Sequence, residues 1–512
     1  MNIKRTAAGI AALCLVSAVS FTTGLGASPK FTNAASKFGD INGDGKIDAK
    51  DASVILSYYS YLSTQSGSTM SLSDFMAYGP DYDPSHGGSG NVSLETGGDT
   101  FTIAAWNASE VPYLIAQWKG LDYESTFDDL LDDKFDGLRF VYFGVGGGSA
   151  PEKYDQYFNS GRDLDVYFCE PYWGLKYIND DSRTAPLSAI GITDADTANM
   201  YPYTLEYGKD STGVLKGLSW DPSPGGFGYR TDLAKQYLGV SSPEEMQAAI
   251  GDWDSFASAA KTVASKTGGR VALADSVGGM WQAYSFGRTQ PYVVNNKINL
   301  GSDVKEFADI AKTLWNCGGV TKNGQWYEEW TAAGESGNCM GYFVPTWGFG
   351  GFFLDAAGGK NGATYGKWAV CQGPQPYYWG GTMALVNPST DNGEEARDFI
   401  LSACINNDQM RSYAVCRPEF VNNMAVMDKL IAEGTVFNNT ISQNLGGQNY
   451  LSELNKNAKA INNKGLITPY DETIRTQIIN HIVDDYIKSG YSWEKTQTNI
   501  RNGIYEYCPY LD

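Results

Sequence analysis

The chain has 512 residues, 42% of them hydrophobic and 19% charged, with a formal net charge of −20. That is too long for one ordinary core and enough for two or three packed units, and the composition is that of a folded, soluble protein rather than a disordered one. The acidity argues against a nucleic-acid binder, because phosphate recognition needs a concentrated Lys/Arg face.

Lys4 and Arg5 precede the mostly apolar run TAAGIAALCLVSAV and the small residues GLGAS. This is the order of a secretory signal peptide, predicted over residues 1–27. The apolar run is short of the roughly 20 residues that span a bilayer, and no later segment is long and apolar enough either. Cys14 follows Leu13 rather than a small residue, so a lipid anchor is not expected. The protein is expected to be secreted, either extracellular or associated with the cell surface.

Residues 40–51 read DINGDGKIDAKD. Asp40, Asn42 and Asp44 stand at alternate positions, Gly45 allows a sharp turn, Lys46 offers its carbonyl, and Asp51 closes the loop. Calcium takes about six to eight oxygens at roughly 2.3–2.6 Å, and this alternation points them inward. A turn rich in Asp and Gly would use the same residue types without needing every ligand position filled. After the loop, Val54, Ile55, Tyr58 and Leu62 recur at helical spacing. A calcium-binding loop–helix module is therefore predicted over 36–65, with Ca2+ held by Asp40, Asn42, Asp44, Lys46 and Asp51. Residues 79–98 have turn formers throughout and no apolar period, which predicts a flexible linker.

From residue 99 the pattern changes to strands alternating with helices. TFTIAAWN and DLDVYFCE read as buried strands. Ser242, Pro243 and Glu245 form an N-cap, a first-turn proline and a capping box. Val304, Phe307, Ile310, Ala311 and Leu314 fall on one helical face. Such alternation implies an α/β fold with largely parallel sheets, and 99–512 is long enough for two lobes.

Catalytic signatures are missing. The two histidines are His86, in the linker, and His481, in a helix-like apolar run, and neither has a triad motif around it. There is no HExxH, GxSxG or Walker sequence. GVGGG at 144–148 lacks the Lys-Ser/Thr ending and reads as a strand-to-helix turn. Without Cys14, the cysteines are Cys169, Cys317, Cys339, Cys371, Cys404, Cys416 and Cys508, an odd set best read as buried thiols.

What the chain has instead is tryptophan in loops: Trp106, Trp173, Trp220, Trp281, Trp347 and Trp379, most flanked by glycine, proline or a polar residue. A sugar ring has an apolar C–H face and a rim of hydroxyls. Indole faces suit the former, and side chains such as Asn107, Glu170 and Asp221 suit the latter. Any one of these tryptophans could equally belong to a core.

Two resemblances follow from these residues. Phe38 to Leu62, with its closing Asp51 and no helix before the loop, resembles one repeat of a type I dockerin, which implies a cohesin scaffold as partner. Dockerins carry two such repeats, and no second is found. The segments FTIAAWN, DVYFCEPYWGLKY, GLSWDPSPGGFGYRTDLAKQYLG, YYWGGTMALVNPS and NLGGQNYLSELNKNA, in that order, resemble an extracellular solute-binding protein (family 1-like) of a carbohydrate ABC importer. The resemblance implies a two-lobed, periplasmic-binding-protein-like (type II) α/β fold with a hinge. Carried over, Trp106, Asn107, Glu170 and Trp173 belong to one lobe and Trp220, Asp221, Trp281 and Trp347 to the other. Trp379 falls near a hinge crossing, where Gly380 and Gly381 suit a bent backbone. The implied function is that of a monomer that captures an oligosaccharide and delivers it to an ABC permease without catalysis. The calcium module would tether it to a scaffold. The rival reading is a dockerin-bearing glycoside hydrolase, with Glu170 as the first carboxylate to test. A third is an interaction protein whose α/β part has lost its ligand.

Overall fold

The computed structural model describes residues 94–106, 110–121, 128–132, 134–435, 437, 439–509 and 511. The expected signal peptide, the calcium loop with Asp40, Asn42, Asp44, Lys46 and Asp51, and Asn107 lie outside the described residues. Of the expected linker, residues 94–98 are tied down rather than loose. Leu94 is buried, Gly393 N–H donates to Glu95 O (2.9 Å), and Gly98 N–H donates to Asp391 O (2.9 Å).

Two sheets organise the rest. The first has the order β2-β1-β3-β11-β4, built from β1 (Phe101–Ala105), β2 (Leu138–Tyr142), β3 (Val166–Cys169), β4 (Gly217–Asp221) and β11 (Thr382–Val386). The second has the order β10-β5-β9-β6, built from β5 (Gly225–Arg230), β6 (Ala272–Ala274), β9 (Cys339–Pro345) and β10 (Trp368–Cys371). A two-strand hairpin, β7 (Val293–Val294) and β8 (Lys297–Ile298), stands apart. β1, β3 and β11 are buried along their whole length, as expected of strands covered by helices on both faces.

Neither sheet is purely parallel, and each departure has the same cause. β11 runs antiparallel to both β3 and β4, and β5 runs antiparallel to both β9 and β10. Each is the strand that enters its sheet directly after the chain has crossed from the other lobe. Two of the crossings between the lobes, 222–224 and 372–381, lie side by side: Trp379 N–H donates to Ser223 O (3.0 Å) and Gly225 N–H to Tyr377 O (2.8 Å). Pro224 and Tyr378 pair between them. The hinge is thus a short antiparallel ribbon.

The second sheet divides the apolar interior. Tyr342, Val344, Trp368 and Val370 point into the core shared with the first lobe, while Phe343, Ala369 and Cys371 point into a separate core under helix Trp253–Thr267 and helix Ser302–Cys317. In the latter helix Val304, Phe307, Ala311 and Leu314 are buried and Ile310 is half-buried. Fully burying a side chain of this kind is worth about 1.5–3 kcal/mol. The N-terminus of helix Pro243–Ile250 is capped by Ser242, whose hydroxyl accepts from Glu245 N–H (3.2 Å). Glu245 reaches back one residue further than a capping box does, to Ser241 N–H (2.6 Å). Of the seven described cysteines, five are buried and Cys317 and Cys416 are exposed. His481 Nδ1 lies 2.8 Å from Asp485 on its own helical segment, away from the cleft described next.

Candidate functional site

In an open sheet, loops at the carboxyl ends of parallel strands converge on one rim. Here β1 ends at Ala105 and delivers Trp106, β3 ends at Cys169 and delivers Glu170, and β4 ends in Trp220 and Asp221. Because β11 is reversed, it is its beginning that reaches the same rim, with Thr382 opposite Asp221. From the second lobe, β9 ends at Pro345, opposite Gly225 beside the hinge, and Trp347 follows at once. The result is a cavity of about 380 Å³ lined by Trp106, Glu170, Trp220, Asp221, Trp347 and Trp379, together with Gly380, Gly381 and Thr382.

Residues not foreseen complete it: Trp326 from the second lobe, and Glu110, Tyr413, Glu419 and Phe420 from the first. Trp326 is flanked by polar residues and follows Gly324 in NGQWYEEW, so the signal that singled out the other tryptophans was present there too. Glu110 and Glu419 carry no local signal; only the fold brings them in.

The tryptophans fall into two kinds. Trp326 and Trp347 are 60% and 41% exposed and stack on each other, with ring centroids 6.2 Å apart and planes 17° from parallel. Trp379 meets both edge-on, at 5.6 and 5.5 Å. The Trp347 indole N–H donates to Trp379 O (2.7 Å), fixing the shelf to the hinge. Trp326 holds φ at +73°, a left-handed conformation uncommon for a bulky residue and concentrated at functional sites. Trp220 and Trp281, by contrast, are only 2% and 3% exposed. Trp220 packs edge-on to Phe168 (5.5 Å), and Trp281 lies against Phe307 (5.0 Å) with its N–H donated to Arg475 O (3.2 Å). They wall the cleft from the core side and offer no open face.

Two further corrections concern placement. Trp220 and Asp221 belong to the same lobe as Trp106 and Glu170, because β4 is a strand of the first sheet. Trp173 and Trp281 line a second, larger cavity of about 610 Å³, which meets the first at Glu170 and Trp379. This neighbour is mixed in charge, with Lys322, Arg475 and Lys488 as well as Glu472 and Asp484. Across it Gln282, from the second lobe, donates to the Tyr172 hydroxyl of the first (2.9 Å).

Gly380 and Gly381 are where glycine is required. Both have positive φ, +81° and +100°, and a Cβ would lie 2.9 Å from the Trp347 indole nitrogen in one case and 3.0 Å from Asp221 O in the other.

The first cavity is electrostatically unusual. Burial pushes Glu419 up to about 8, with the charges of Asp221 and Glu110 adding to the effect and Arg417 opposing it. Burial raises Asp221 to about 6, against hydrogen bonds from Ser223 that favour its charged form. Glu170 is raised to about 7, first by burial and then by Glu472, while the Trp173 indole N–H favours its charged form. The Tyr413 side chain is 2% exposed, and its hydroxyl finds no hydrogen-bond partner among the described residues. The buried Trp106 indole nitrogen is likewise unpartnered there.

Two α/β lobes joined by a ribbon hinge, with a polar and aromatic cleft at the crossing, define a solute-binding protein. The family model described as bacterial extracellular solute-binding protein matches residues 135–420, and the chain belongs to that family. Its members are binding proteins, and this chain is a binder and not an enzyme. Among solved structures, an extracellular solute-binding protein of family 1 is similar over 81% of this chain and 100% of its own, with 17% identity and a TM-score of 0.66. The galacto-N-biose/lacto-N-biose I-binding protein of an ABC transporter from Bifidobacterium longum is similar over 80% and 98%, with 14% identity and a TM-score of 0.57. The ABC-transporter-associated binding protein from B. animalis subsp. lactis, solved with β-1,6-galactobiose, is similar over 80% and 96%, with 19% identity and a TM-score of 0.53. No curated protein sequence matches the chain closely enough to count as a relative. Among the described residues no helix is long and apolar enough to cross a membrane.

Proposed function

We propose that the chain captures a carbohydrate between its lobes and hands it, unaltered, to an ABC importer. The observation that carries this reading is the opposition, in one cavity, of the exposed Trp326 and Trp347 faces to a polar rim at the first sheet's strand ends. Indole faces match the C–H side of a sugar ring, and Glu170, Asp221 and Thr382 match its hydroxyls. The similar proteins from Bifidobacterium, which bind lacto-N-biose and β-1,6-galactobiose, support it. In this mechanism the sugar first meets the acidic wall of the open form. Rotation about 222–224 and 372–381 then brings the tryptophan shelf onto it, and the closed form is what the permease recognises.

The test is a tryptophan-fluorescence titration of the purified chain against a glycan panel, followed by recovery of the glycans. Quenching with intact recovery is expected. No response to any sugar, or shortened products, would overturn the reading.

The N-terminal loop is a separate part of the proposal. Asp40, Asn42, Asp44, the Lys46 carbonyl and Asp51 bind Ca2+, and the module they form tethers the binder to a cohesin-bearing scaffold beside carbohydrate-degrading enzymes. Calorimetry with calcium should show one site that Asp44→Ala abolishes. Deleting residues 36–78 should release the protein into the medium; retention of the truncated form on the cell surface would rule out the tether.

A further inference from the structure

Among the described residues, four carboxyl groups line the smaller cavity, Glu110, Glu170, Asp221 and Glu419, and no lysine, arginine or histidine does. Neutral sugars need acceptors, but they do not need four carboxyl groups crowded into about 380 Å³. Three of these groups act on one another: Asp221 and Glu110 hold Glu419 up, and Glu110 holds Asp221 up. Arg417, whose charge draws Glu419 the other way, does not line the cavity.

A second, independent feature points inward. Tyr413, almost wholly buried, lines the same cavity with a hydroxyl that has no partner among the described residues, and a buried hydroxyl left alone is costly unless a ligand meets it. Opposite lie the faces of Trp326 and Trp347, the negative side of an aromatic ring, which attracts a cation as readily as a C–H surface. The adjoining cavity, where Lys322, Arg475 and Lys488 balance Glu170, Glu472 and Asp484, shows no such bias.

We propose that the cleft is built for a cationic solute, an oligosaccharide of amino sugars whose protonated amine sits among Glu110, Asp221 and Glu419 under the tryptophan shelf. This rests on the carbohydrate reading and narrows it. The ammonium donates charge-assisted hydrogen bonds to carboxylates that otherwise repel one another, and the ring carbons keep their contact with indole. A net charge of −20 attracts such a ligand from a distance.

The test is calorimetry of the full chain at pH 7 and low salt with matched sets of glucosamine, N-acetylglucosamine and glucose, as monosaccharides and as β-1,4-linked dimers to tetramers. The free diamine 1,4-diaminobutane is included. The glucosamine member should bind at least about tenfold tighter than its N-acetylated and neutral counterparts, an advantage that shrinks as salt is added. Glu419→Gln and Asp221→Asn should each erode that preference while the near-ultraviolet circular dichroism stays native. Equal or tighter binding of the neutral or N-acetylated members overturns the inference and leaves the carbohydrate reading standing. Binding of the diamine with no response to any sugar sinks the carbohydrate reading and leaves a cationic solute. Silence with every probe removes both.

Discussion

The two walls of the cleft are different in kind. The first lobe contributes Glu110, Glu170, Asp221 and Glu419, each set near a strand end or a helix terminus. The second contributes Trp326 and Trp347, with more indole surface open than any other tryptophan. One wall offers directional polar groups held by a rigid sheet; the other offers flat apolar area that is indifferent to hydroxyl pattern. The division teaches that neither lobe is a binding site alone. In the proposed mechanism the acidic wall supplies recognition and closure brings the area that makes departure slow.

The largest effect should follow from removing the apolar wall. Replacing both Trp326 and Trp347 by alanine deletes two ring contacts, each worth burial plus about 0.5–1.5 kcal/mol of aromatic geometry. A loss of affinity of about 100-fold or more is expected by calorimetry, with the acidic wall intact. If the double variant loses less than the single variant Asp221→Asn, the assignment of roles between the walls is backwards.

The acidic wall should betray itself through pH. Glu419, Glu170 and Asp221 keep their protons to about 8, 7 and 6 in the folded chain, against ordinary values of 4.5, 4.5 and 3.8. The groups acting on them are Glu110, Glu472 and Arg417 besides each other. Over that interval the folded state binds more protons than the unfolded one, so stability falls as pH rises. It is fullest below the ordinary carboxylate range and is progressively lost through about pH 6 to 8. The ligand-free protein should melt at least ~2–4 °C higher at pH 5 than at pH 8.5 in scanning calorimetry, and Glu419→Gln should flatten the trend.

Between these walls, glycine at the hinge should matter next. Gly380→Ala forces a Cβ to within 2.9 Å of the Trp347 indole nitrogen at a φ of +81°. The left-handed conformation alone costs roughly 1–2 kcal/mol, and the indole must shift from its bond to Trp379 O. About a tenfold weaker affinity is expected, with a modest drop in melting temperature.

How much of this the sequence disclosed differs between the walls in the same way. Tryptophans in glycine- and polar-flanked loops are visible to the eye, and Trp106, Trp347 and Trp379 were legible for that reason. Trp220 and Trp281 carry the same flanks but do not sit in loops: Trp220 lies in β4, Trp281 inside helix Val277–Tyr284 and Trp173 in helix Pro171–Ile178, and the first two are walled in. Two lobes and alternating elements were legible from periodicity. Strand direction was not: β5 and β11 are reversed by the hinge, and with β4 in the first sheet Trp220 and Asp221 change lobe. Glu110 and Glu419 were invisible, since a lone carboxylate among 58 acidic residues acquires meaning only when the fold sets it beside others.

The smallest effect tests whether the lobes communicate outside the cavity that holds the solute. Tyr172 accepts from Gln282 across the lobes (2.9 Å), and Gln282 in turn accepts from Arg475 (3.0 Å), whose guanidinium lies over the Tyr172 ring at 5.0 Å. Tyr172→Phe keeps the ring and its stacking on Tyr378 while deleting one neutral hydrogen bond, worth about 0.5–1.5 kcal/mol net. Because that bond joins the lobes and neither residue lines the smaller cavity, its loss should act on the open–closed equilibrium alone. Every ligand of the panel should weaken by the same factor, roughly two- to tenfold. A change that instead favours one sugar over another would mean that Tyr172 contacts the solute, and that the two cavities work as one site.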